Sequence, residues 1–128
     1  MNPAECVYCG GVPKFMHHPT GRDHRYVYLD RDLVLPTDHD CHCLVHDDWR
    51  HENLDKLKAP RTIVEYVAIR LRRLAMNLGR IDSHLGGGTF WGLLGDAMHV
   101  WADDLDDHVR RLDEQFPEWR NGEEFYPG

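Results

Sequence analysis

The chain has 128 residues, 41% of them apolar, and a net charge of −7, which suits one compact domain or a small metal-held module with a helical appendage. No apolar run approaches the roughly 20 residues that span a bilayer, and Met1-Asn2-Pro3-Ala4-Glu5 has neither the basic nor the apolar part of an export signal, so a cytoplasmic protein with no membrane partner is expected. The negative balance disfavours non-specific adhesion to nucleic acid, although the charge is uneven: five arginines fall within 61–83 and an acidic stretch follows.

All four cysteines and most of the ten histidines lie within the first 51 residues. In a secreted mini-protein four cysteines would suggest disulfides, but beside histidines at ligand spacings they point to metal in a reducing compartment. Cys6-Val7-Tyr8-Cys9-Gly10-Gly11 reads as a knuckle: two thiolates separated by two residues can bind one ion, and the glycines allow the turn that follows. Lys14 to His18 resembles a short strand broken by Pro19-Thr20-Gly21, and Arg25-Tyr26-Val27-Tyr28-Leu29, rich in β-formers, is its expected hairpin partner. Adjacent histidines on a strand point to opposite faces, which sets His17 apart from His18. Leu33-Val34-Leu35-Pro36 is a brief apolar run. Asp38 or Asp40 then caps a helix carrying Cys41, His42, Leu44, Val45 and His46. His42 and His46, four residues apart, share one face of that helix and can reach one ion.

Beyond Pro60, Thr62-x-x-Glu65 fits a capping box. Ile63, Val67, Leu71, Leu74 and Leu78 follow at spacings of three and four, an amphipathic helix over 60–80. Gly86-Gly87-Gly88 makes a turn, Thr89 is a cap, and the apolar positions from Phe90 to Phe116 give a second helix over 89–116. The two should pair antiparallel, with Trp91 and Trp101 in the core or between the helices. Residues 117–128 form a tail without periodicity, packing only through Trp119, Phe125 and Tyr126.

The motifs Cys6-x-x-Cys9, His17-His18, Cys41-His42 and His46 resemble the HNH, or ββα-metal, nuclease family in its zinc-containing form, over residues 6–50 only. The resemblance implies an α+β, helix-rich protein: a zinc-bound treble-clef/ββα-metal module over 1–54, followed by the α-helical hairpin over 60–116. It implies a structural zinc that ties the knuckle to the start of the helix, and a second divalent metal between hairpin and helix. By the same resemblance His17, His42 and His46 hold the catalytic metal and His18 is the general base. The implied activity is metal-dependent hydrolysis of DNA phosphodiester bonds in a bacterial or phage-infected cell. The chemistry is coherent, since a cation neutralises charge on the scissile phosphate while an imidazole, with a pKa near working pH, takes a proton from water. An all-histidine site accepts Mg²⁺, Mn²⁺, Ni²⁺ or Zn²⁺.

The chain departs from the family in two places. Where the family's zinc site reads Cys-x-x-Cys at the helix, this sequence reads Asp38-x-x-Cys41. Cys6, Cys9 and Cys41 are then three ligands, and Asp38, His39 or Cys43 is the fourth. No asparagine lies between His18 and Cys41, where the family carries one that orients the loop of the base; Asp30 or Asp32 could serve instead. These departures motivate an alternative, a catalytically inactive zinc-stabilised module that binds nucleic acid or protein. A nuclease subunit active only within a larger complex is a further one, with RNA as the other substrate. Arg70, Arg72, Arg73 and Arg80 are candidates to track a DNA backbone, against the reading of a solvated charged face. The acidic helix with Asp103, Asp104, Asp106 and Asp107 reads as a solvated face or as the docking surface for a protein partner.

Overall fold

The structure, a computed structural model, describes residues 5–21, 33–55 and 59–125. Strands β1 (Phe15–His17) and β2 (Leu35–Thr37) pair antiparallel, with Phe15 opposite Thr37 and His17 opposite Leu35. The partner of the histidine strand is therefore the run around Pro36. The expected partner, Arg25 to Leu29, lies outside the described residues, as do Asp30 and Asp32. Among the described residues β2 has one neighbouring strand, so Pro36 can sit there without breaking a ladder on its other edge. The knuckle is stitched to this ribbon by backbone bonds from Val7 to the Pro36 carbonyl (3.1 Å) and from Lys14 to the Thr37 carbonyl (2.9 Å).

Helix α1 (His39–His51) begins at Asp38, whose side chain accepts the Cys41 N–H at 2.7 Å. Such a cap is worth about 1 kcal/mol. A short strand β3 (Arg61–Thr62) leads into α2 (Ile63–His84), and the Thr62–Glu65 capping box closes in both directions. Helix α3 (Phe90–Gln115) returns antiparallel after the Gly86–Gly88 turn, which Asp82 ties by accepting the Thr89 N–H at 2.7 Å. In the tail, β4 (Glu124–Phe125) pairs with β3, and Arg120 bonds both Glu65 (2.6 Å) and Asp113 (2.8 Å), while Tyr126 and the side chain of Phe125 lie outside what is described. The fold is thus helix-rich, three helices with two small two-stranded sheets among the described residues. No described helix is long and apolar enough to cross a membrane.

Cys6, Tyr8, Val45, Trp49 and Leu54 form a buried core under the knuckle and α1. Outside it, Tyr66, Ala68, Ala75 and Leu78 of α2 and Ala102 and Val109 of α3, which pack as a helix pair, are also buried. A Cβ on Gly95 would lie 3.1 Å from the Ala75 carbonyl oxygen, so glycine is what lets the helices approach. Gly95→Val is expected to lower stability by about 1–3 kcal/mol through overpacking; an unchanged denaturant midpoint would contradict that tight approach.

Two expectations about packing are corrected. Trp91 and Trp101 are 41% and 51% exposed, while Trp49 is the buried tryptophan. Helix α3 packs against α2, so part of its apolar circumference stays outside. On α2 the first residues of the apolar stripe, Ile63 and Val67, are exposed, whereas Arg70, Arg73 and Asn77 are buried. Their spacing of three and four places them on one face, and Arg73 and Asn77 on that face bond to the cysteine- and histidine-bearing part of the chain.

Candidate metal centres

The knuckle, the end of β2 and the first turn of α1 bring Cys6, Cys9, Asp38 and Cys41 together, with one ligand atom from each within 4.8 Å of the others. A zinc ion with bonds of about 2.0–2.3 Å needs these atoms drawn only slightly inward. Asp38 serves twice, its Oδ1 capping α1 and its Oδ2 accepting the Cys9 thiol proton at 2.7 Å. Burial works against a thiolate at Cys6, but backbone N–H groups of Asp38, Tyr8 and Cys9 outweigh it and hold that thiol below its usual pKa. Hydrogen bonds from Cys9 and from the Cys41 backbone hold Asp38 low. The Cys9 thiol is raised, chiefly by Asp38, and the Cys41 thiol is pushed well up by burial and by Cys9 and Asp38. Crowded acids resist full ionisation until a cation displaces their protons, which is the linkage expected of a thiolate metal site. The set of three thiols and one carboxylate is compatible with structural zinc.

A second cluster stands apart from the first. β1 contributes His17 and successive turns of α1 contribute His42 and His46, with ligand atoms again within 4.8 Å. The ring centroids of His17 lie 5.3 Å from His42 and 5.9 Å from His46, and the rings cross at 73° and 76°. His17 is 2% exposed. Burial, then the neighbouring His42, His46 and His18, lower its pKa to about 3. Burial and His46 lower that of His42 as well. Near neutral pH both are therefore neutral imidazoles, the form that donates a lone pair to an ion. Among the described residues the cluster has three members, the ligand number of a zinc site that keeps a position for water or substrate. His18, half-buried, follows directly after β1.

Two supporting residues carry no sequence signal of their own. Asp55 Oδ1 accepts from His46 Nδ1 at 2.9 Å, and its side chain is 11% exposed. That bond fixes the tautomer with a bare Nε2, the usual arrangement behind a metal-binding imidazole. Asp55→Ala is expected to weaken divalent-ion binding at the histidines by about 10- to 100-fold, read by titration with the thiolate site already filled. Equal affinity would remove Asp55 from the site. The other residue is Asn77 of α2, whose Nδ2 faces His17 Nε2 at 3.5 Å.

Several candidates fall elsewhere. His39 and Cys43 stand one turn apart on the exposed side of α1, Sγ 3.8 Å from Nε2. They are not part of the thiolate cluster, because the helix turns them away from the knuckle and leaves Asp38 as the fourth member. The candidate arginines are engaged within the fold: Arg73 and Arg70 are buried, Arg72 reaches across to Asp103 and Asp106 of α3, and Arg80 forms a bidentate pair with Asp48 of α1. The acidic helix likewise meets its own cations, Asp107 pairing with Arg110 and Arg111 and Asp113 with Arg120. No family model matches the chain, and neither a characterised protein nor a solved structure is detectably similar to it.

Proposed function

We propose that the protein is a metal-dependent endonuclease of the HNH type that hydrolyses DNA phosphodiester bonds, built on a zinc-bound treble-clef/ββα-metal module. One observation carries this reading: ligand atoms of three imidazoles, from a strand and a helix, lie within 4.8 Å of one another in a cluster separate from the thiolates, and His18 is next in the chain after His17.

In this reading Cys6, Cys9, Asp38 and Cys41 hold zinc and fix the knuckle on the first turn of α1. His17, His42 and His46 would hold a divalent ion, which supplies positive charge to the scissile phosphate and its leaving oxygen. Asp55 keeps the Nδ1 proton on His46 and so keeps Nε2 available. Phe15 stacks on His42, centroids 5.2 Å apart and planes inclined by 24°, which limits rotation of that ring. A ring nitrogen of His18 takes the proton from the attacking water, a contribution of about 10²–10⁴ in rate. The test is plasmid nicking by purified protein with Mg²⁺, Mn²⁺, Ni²⁺ or Zn²⁺, with His18→Ala beside it. Absence of cleavage of both DNA and RNA with every metal overturns the stand-alone enzyme.

One observation favours a second reading, a nuclease subunit that meets DNA within a larger complex. Arg72, Arg73 and Arg80 of α2 are committed to Asp48, Asp103, Asp106 and backbone carbonyls. In this second reading a partner would add positive charge for the DNA backbone, and cleavage would depend on adding it.

A further inference from the structure

We infer that Asn77 and Arg73 of α2 are positioning residues of the histidine site, which makes the helical hairpin a working part of that site. The inference rests on the reading of His17, His42 and His46 as a metal centre. Asn77 is 1% exposed. Its Nδ2 donates to the Pro19 carbonyl at 2.7 Å and its Oδ1 accepts from Trp49 Nε1–H at 3.2 Å. These two bonds fix which end of the amide is the donor, and that donor end faces His17 Nε2. An amide N–H on Nε2 occupies the lone pair that an ion would need, so this contact yields when an ion binds through Nε2 and Asn77 acts on the site through its bonds to Pro19 and Trp49.

Arg73 works one turn earlier. Its Nε donates to the Leu54 carbonyl at 2.7 Å and its Nη1 to the Thr20 carbonyl at 2.9 Å, while the guanidinium lies 5.2 Å from the Trp49 ring centre. One stretch of helix thus grips the backbone on both sides of the histidines. Pro19 and Thr20 come directly after His18, and Leu54 comes directly before Asp55. Gly21 completes the grip: its φ is +89°, and a Cβ there would fall 2.2 Å from Arg73 Nη1. Buried arginine and asparagine are poor choices for simple packing, which apolar side chains of similar size achieve without desolvating polar groups. Both direct bonds at the backbone beside functional side chains, so their role is placement.

The experiment uses the full chain with zinc in the thiolate site and follows the visible d–d absorption as Co²⁺ is titrated in. The wild type is expected to take up a further Co²⁺ at the histidines. Asn77→Leu, which keeps the volume and removes the amide, is expected to bind it about tenfold or more weakly with shifted bands, and Asn77→Gln to recover part of the loss. Arg73→Lys keeps the charge but loses the fork, and is expected to weaken Co²⁺ binding in the same direction; it decides the matter alone if Asn77→Leu does not fold. Unchanged affinity and spectrum in the folded variants, with only the melting temperature lowered, overturns the positioning role. A wild type that takes up no second ion overturns the metal-centre reading and this inference with it.

Discussion

Stripping the metal from the thiolate cluster is expected to unfold residues 5–54 while α2 and α3 stay paired. The buried apolar core under the knuckle comprises Cys6, Tyr8, Val45, Trp49 and Leu54, and its sheet is two strands of three residues. That is too little to stand alone, since two-stranded ribbons are marginal in water and domains of this size are held by only about 5–15 kcal/mol in total. Structural zinc supplies roughly 10–16 kcal/mol in small metal-folded modules, so its loss outweighs what remains. A chelator should therefore remove the α1 share of the helical circular dichroism and leave the larger share of the hairpin. Cys41→Ser should lose zinc and destabilise the module in the same way, whereas Cys43→Ser should retain both zinc and melting temperature. Stoichiometric zinc in Cys41→Ser, or a far-ultraviolet spectrum indifferent to chelation, would show that the cluster is not what holds the knuckle.

His18→Ala is expected to slow DNA cleavage by about 10²–10⁴ without altering the metal content. His17→Ala is expected to lose comparable activity together with the ion at the histidines, because it removes a ligand from a site of three. The pair of variants separates a base from a ligand: one spares metal and the other does not. If His18→Ala cleaves at the wild-type rate, the proton acceptor lies elsewhere. If His17→Ala keeps full affinity at the second site, then His17 is a buried structural histidine beside a site formed by α1.

Much of the two clusters was legible in the sequence because the spacing of their members is local. Two residues between Cys6 and Cys9, and one helical turn between His42 and His46, bring ligands together whatever the rest of the chain does. The capping box at Thr62 and the antiparallel α2–α3 pair were legible for the same reason. What could not be read is non-local. The pairing of β1 with β2 spans a long connection, and a three-residue strand with proline at its centre carries no alternation. Asp55 and Asn77 reach the histidines from segments in which nothing marks them. Arg73 and Asn77 show the same limit from the other side, since a polar residue that braces a backbone and one that faces solvent are spelled alike. The choice of Asp38 over His39 and Cys43 depended on which side of the first helical turn meets the knuckle.

The β3–β4 ladder and the Arg120 bridge to Glu65 have a topological consequence. The helical excursion that starts at residue 61 ends beside its own starting point at 124–125. Its contacts with the cysteine- and histidine-bearing half run from Ile69 to Ile81, farther along α2 than this clasp. The segments 63–68 of α2 and 108–115 of α3 lie on the clasp side of those contacts. Matched turns added there would carry the clasp outward like the end of a lever, with the histidines left where they are. The length of the hairpin is thus uncoupled from the placement of the two clusters, and its reach is a dimension that selection or design can vary.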